Sequence, residues 1–153
     1  ATSGDTALLI AFGAGLAYAA QVVTLPRAPA VDNLAVVVAD DIASNRLVLV
    51  EMLRTLGYEP IEAESGAEAV EALKSSGARL AFLDRHMPGT DGLWALRRIA
   101  DDPGLGAVRS IVISASANAR SEERLRAARA LAVLEKPLTL RMVGEAARDA
   151  LED

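Results

Sequence analysis

Most of this 153-residue chain is predicted to form a doubly wound α/β domain, and three observations carry that prediction. From Leu34 onward, short apolar runs alternate with amphipathic segments. The apolar runs end on polar residues that could work together, namely Asp40, Asp41, Asp84, Ser116 and Lys136. The length accommodates five βα units and no more, within the usual domain size of about 100 to 150 residues.

Strands are expected at Ala35 to Ala39, Glu59 to Ala63, Leu80 to Leu83, Ile111 to Ala115 and Ala132 to Leu134. Between the first two, Leu49, Met52, Leu53 and Leu56 recur at helical spacing and should form one stripe against the sheet. Ser65 and Glu68 read as a capping box opening the second helix, with Ala69, Val70 and Leu73 facing inward. A third helix should begin near Gly92 and close before Pro103. Ser121 to Ala130 and about Leu140 to Leu151 supply the last two helices.

Composition narrows the function. Hydrophobic residues at 52% and charged residues at 24% allow a buried core, while 3% aromatics leave Leu, Val, Ile and Ala to fill it. A net charge of -5 gives no attraction for phosphate backbones, so nucleic acid is not an expected partner. The chain has no cysteine, which removes thiol nucleophiles, thiolate metal sites and disulfides, and fits a reducing, cytoplasmic setting. Its single histidine, His86, excludes a multi-histidine metal site. The most apolar stretch, Ala7 to Val23, sits at the lower limit of about 17 to 25 residues for a membrane span and lacks basic flanks. Asp5 disfavours a signal peptide, so no membrane association is expected.

In open parallel sheets, ligands bind beyond the carboxyl ends of the strands. Asp40 and Asp41 end the first strand and Asp84 follows the third, so their carboxylates should converge there. Singly, each is more readily a helix cap or a turn residue. Together they call for a shared cation or a raised pKa, and an all-oxygen donor set suits Mg²⁺. Ser116 and Lys136 open on the same edge. A carboxylate nucleophile, a hydroxyl, an ammonium and a divalent cation are what phosphoryl transfer to an aspartate requires. Pro137 stops the last strand and is a candidate for a cis bond.

Four stretches in order, VVVADDIASNRLVLVEML, LAFLDRHMPGTDG, IVISASANA and LEKP, resemble the signature regions of the receiver domain of two-component response regulators and hybrid histidine kinases, over roughly residues 34 to 151. The resemblance implies a flavodoxin-like five-stranded parallel sheet of order 2-1-3-4-5 with helices on both faces. It implies that Asp84 is the phosphoacceptor, that Asp40, Asp41, Asp84 and the backbone carbonyl of His86 hold Mg²⁺, and that Ser116 and Lys136 contact phosphoryl oxygens. The implied donor is a phosphohistidine on a histidine kinase or histidine phosphotransfer protein. Such a domain assists its own phosphorylation and dephosphorylation and is not otherwise an enzyme. Asn45 and Arg46 look more like receivers attached to hybrid kinases than free-standing regulators. His86 and Asn118 flank the acceptor where family members tune phosphoryl lifetime. The pattern is broken in three places: Val133 stands where an aromatic switch residue is usual, the segment from Ser116 to Lys136 is a little shorter than usual, and ARALAV replaces the customary Gly-Ala-Asp run.

Residues 1 to 30 form a separate segment, with 31 to 153 as the receiver. Gly13 and Gly15 divide the apolar extension into two expected strands, Ala7 to Phe12 and Ala17 to Leu25. GDTALLIAFGAGLAYAAQVVTLP, from Gly4 to Pro26, resembles the carboxy-terminal end of β-ketoacyl-acyl carrier protein synthase III. The catalytic residues of that family lie upstream of this piece, and a chain without cysteine has no thiol to carry an acyl group, so synthase activity is not expected. A fusion or chimera is favoured over a natural extension. Exposed apolar strands need cover, which docking on the receiver, extension of its edge or a homodimer through residues 1 to 30 would provide. The alternative function is therefore a scaffold or assembly protein whose extension drives oligomerisation.

Overall fold

The computed structural model describes the backbone of residues 7–10 and 21–24 and, in full, residues 34–115 and 118–151. Two short strands, β1 (Ala7–Ile10) and β2 (Gln21–Thr24), pair antiparallel with Ala7 opposite Thr24. The remaining strands are β3 (Ala35–Ala39), β4 (Glu59–Ala63), β5 (Leu80–Asp84), β6 (Arg109–Ser114) and β7 (Ala132–Glu135). They form one parallel sheet ordered β4-β3-β5-β6-β7, the expected 2-1-3-4-5 order and the flavodoxin-like arrangement. The intervening helices are α1 (Ala43–Thr55), α2 (Gly66–Ser76), α3 (Gly92–Asp101), α4 (Ala119–Ala127) and α5 (Leu140–Leu151).

Side chains alternate across each strand, so the sheet carries two cores. Val36, Val38, Phe82, Ile111 and Ile113 pack with Leu49, Leu53 and Val143 under α1 and α5. Val37, Leu83 and Val112 pack on the opposite face with Val70, Leu73, Leu96 and Leu125 of α2, α3 and α4. Leu49, Leu53 and Leu56 of the predicted stripe are buried, and Met52 lies at its margin.

Several ends differ from expectation. The extension strands are shorter than Ala7 to Phe12 and Ala17 to Leu25, and the residues beyond their observed ends lie outside those described. The fourth sheet strand begins at Arg109 and stops at Ser114 instead of running from Ile111 to Ala115, because Arg109 is in register with Leu80. The fourth helix starts at Ala119, where the Asn118 side chain caps it by accepting from the Ser121 N–H at 2.8 Å. It ends at Ala127 instead of Ala130, since Arg129 turns to a φ of 75°. The capping box on α2 is only half of the expected form. Ser65 Oγ accepts from Glu68 N–H, but the Glu68 carboxylate reaches the N–H of Glu64 instead of that of Ser65. Pro103 does follow the third helix and opens a short 3-10 turn, Pro103–Leu105. Among the described residues no helix is long and apolar enough to cross a membrane.

Candidate functional site

β3 and β5 are adjacent in the sheet, which brings Asp40, just past the end of β3, beside Asp84, the last residue of β5. Asp40 and Asp84 are buried, at 8% and 6% exposure, whereas Asp41 is open to solvent. One carboxylate oxygen from each of the three lies within 4.8 Å of the others. The convergence expected from the sequence is therefore present.

Each buried carboxylate is held by a backbone donor. The Ile42 N–H donates to Asp40 Oδ1 at 2.9 Å, and the His86 N–H donates to Asp84 Oδ1 at 3.2 Å. The first of these bonds explains why Asp40 does not cap α1 with its side chain: Ile42 occupies the N-cap position and no side chain caps that end. Lys136 reaches the same point from β7, its Nζ 3.6 Å from Asp84 Oδ2. The Lys136 backbone N–H bonds to Ser114 carbonyl at 2.9 Å, and the Lys136–Pro137 peptide is cis.

Burial pushes the Asp40 carboxyl above its ordinary value, and the neighbouring Asp84 adds to that shift, against the opposing effects of the Ile42 N–H and Lys136. A divalent cation would relieve this crowding. To share one Mg²⁺ the three oxygens, each now within 4.8 Å of the others, would draw closer together. The all-oxygen donor set fits that ion.

Arg46 supports the site from α1. Its guanidinium is nearly buried, donates to the Asp40 backbone carbonyl at 2.6 Å and pairs with Glu62 of β4 at 2.8 Å. The sequence marked Arg46 only by its position after the acid pair. The β5–α3 loop is fixed by contacts the sequence did not single out. Thr90 accepts the Gly66 N–H on its carbonyl and the Ala67 N–H on its hydroxyl, tying the loop to the start of α2. Gly92 packs so closely that a Cβ there would lie 2.6 Å from the Asp84 carbonyl oxygen, which restricts that position to glycine.

His86 is exposed beside Asp84. The Asn118 side-chain oxygen caps α4. Ser116 lies outside the described residues. Val133, in the place of the usual aromatic, is partly buried and packs against the α2–α4 core.

A family model for the response regulator receiver domain matches residues 36–148. The chain is 33% identical over 124 residues to the sensor protein EvgS of Escherichia coli K12, covering 81% of this chain and 10% of EvgS. The chain thus spans about a tenth of that relative. It is 27% identical over 118 residues to the polar-differentiation response regulator DivK of Brucella ovis, covering 77% of this chain and 96% of DivK. Among solved structures, the NarL signal receiver domain of Mycobacterium tuberculosis aligns with a TM-score of 0.72 at 28% identity, over 80% of this chain and 99% of that one. CheY4 of Vibrio cholerae aligns at 0.74 and 19% identity, over 78% of this chain and all (100%) of that one, a likeness of fold alone. The family match begins at Val36, so the likeness of residues 4–26 to the synthase tail finds no support in it.

Proposed function

Because this chain belongs to the response regulator receiver domain family, we propose that Asp84 accepts a phosphoryl group from a phosphohistidine on a histidine kinase or phosphotransfer protein. The observation that carries this reading is a buried Asp84 carboxylate with two further acids within 4.8 Å and the Lys136 ammonium at 3.6 Å. An Asp84 carboxylate oxygen attacks phosphorus, the O–P bond forms, and the P–N bond breaks with its electron pair leaving on the imidazole. Asp40, Asp41, Asp84 and the His86 carbonyl would hold Mg²⁺, which when bound neutralises the oxygens of the transferred group. Lys136 pairs with one phosphoryl oxygen and Ser116 donates to another. The chain acts as an acceptor within a relay and not on a separate substrate. Intact-protein mass after incubation with acetyl phosphate tests the reading. A metal-dependent phosphoryl adduct supports it, and a folded chain that takes up none sinks it.

The donor needs a docking surface beside the pocket. Ile42, Leu47 and Val48 are half exposed at 50%, 54% and 53% on and before α1. Val48 also lines a cavity of about 310 Å³ that it shares with Asp40, Asn45, Lys136 and Leu138. An apolar patch in that position suits an apolar partner face. Val48→Glu is expected to slow transfer from a phosphohistidine donor at least tenfold, a cost of about 1.4 kcal/mol, while labelling by acetyl phosphate stays unchanged. Equal slowing with both donors would remove the patch from the docking surface.

The pairing of β1 with β2 favours a second, compatible reading in which the extension mediates assembly. A two-stranded ribbon alone is marginal in water and gains stability by packing on something else. Removing residues 1 to 29 is then expected to lower the oligomeric state seen by light scattering. An unchanged mass would discard this reading.

A further inference from the structure

We propose that the cleft between the C-terminal parts of α3 and α4 binds a small ligand carrying two adjacent phosphates. The cleft has a volume of about 410 Å³ and is walled by Arg97, Ala100 and Asp101 on one side and Arg124, Ala128 and Arg129 on the other. That volume falls within the range of about 300 to 1,000 Å³ typical of small-molecule sites. Helices run back against the strand direction in a doubly wound fold, so this cleft lies at the far edge of the sheet from the acid pocket. The inference is independent of phosphoryl transfer at Asp84.

Three exposed arginines and one aspartate line the cleft, a formal local charge of +2 in a chain whose net charge is -5. Among the described residues, Arg46, Arg54, Arg85, Arg126 and Arg141 are paired with carboxylates, whereas Arg97, Arg124 and Arg129 are not. The two helix C-termini contribute about half a negative charge each, which still leaves the cleft positive by about one charge. Clefts lined by one sign of charge concentrate the opposite ion. The planar fork of arginine matches phosphate oxygens, and cations on two opposing walls suit a diphosphate better than a single phosphate.

Arg129 supplies the second observation. Its φ of 75° is the left-handed conformation in which glycine is favoured and a Cβ is costly. The position is a helix exit of the kind that glycine commonly occupies, with the Arg129 N–H bonded to Arg126 carbonyl and the Ala130 N–H to Leu125 carbonyl. Neutralising the end of α4 does not require it, because Arg124 and Arg126 already lie in the last turn. A long cation in a strained backbone position, lining a cleft with two further arginines, is accounted for by an anion held there.

Calorimetric titration of the whole chain with pyrophosphate and with ADP tests the proposal, in EDTA and at constant ionic strength so that the acid pocket holds no metal. One saturable site is expected, with inorganic monophosphate at least tenfold weaker. Arg129→Gly relaxes the backbone without threatening the fold and should weaken pyrophosphate at least tenfold, as should Arg97→Gln, while Asp84→Asn leaves the pyrophosphate affinity as it was. The proposal is overturned by any of three results: no saturable binding, equal binding of mono- and pyrophosphate, or full binding in Arg129→Gly. Binding lost only in Asp84→Asn would assign the anion to the acid pocket and overturn it equally.

Discussion

Asp84→Asn is expected to reduce metal-dependent phosphorylation by more than about a thousandfold, as loss of a nucleophile does elsewhere, while the fold persists. The amide keeps an oxygen able to accept from the His86 N–H, now at 3.2 Å, and occupies nearly the same volume. What it loses is the anionic oxygen facing Lys136 and the ability to form an acyl phosphate. Circular dichroism checks the fold and intact mass checks the adduct. A substantial adduct on the Asn variant would show that another side chain accepts the phosphoryl group and would remove Asp84 from its proposed role.

Asp40→Asn should change stability and metal affinity in opposite directions. Asp40 is buried with its pKa raised, chiefly by desolvation and next by Asp84, so the folded chain binds this proton more tightly than the unfolded one. The sign follows from linkage. Asp40 contributes stability that is fully present below its ordinary carboxylate pKa and is lost as pH rises through the raised folded value. At neutral pH in the absence of metal, the ionised group therefore destabilises the fold. Asparagine keeps the acceptor for the Ile42 N–H and removes the charge. The metal-free variant should gain on the order of 1 kcal/mol at neutral pH, visible as a Tm a few degrees higher, with a flatter stability profile between acidic and neutral pH. Mg²⁺ affinity should fall at least tenfold, as loss of a ligand implies. A lower Tm in EDTA would mean that the Asp40 charge stabilises the site, contrary to the crowding described.

The acids were legible because each closes an apolar run, and parallel strands place their carboxyl ends on one edge whatever the loops do. Lys136 was legible for the same reason, reinforced by the proline after it. The supporting contacts were not. Arg46 and Glu62 are 16 residues apart and meet only because α1 crosses back over β4. Thr90 and Ala67 are 23 apart and meet only because α2 and the β5–α3 loop share an edge. The cap that Asn118 places on α4 was likewise not legible, since the helix was expected to start only at Ser121.

By itself the sequence determined the five βα units and the acid pocket, because hydrophobic periodicity acts locally and repeats in every unit, while the order of the strands was legible only through the resemblance of its four motifs to receiver domains. Tertiary structure alone decided the protonation bias of Asp40, the clamp of Arg46 on the Asp40 carbonyl, and the gathering of Arg97, Arg124 and Arg129 around one cleft. These depend on burial and on distances between residues far apart in the chain, and neither quantity exists until the elements pack.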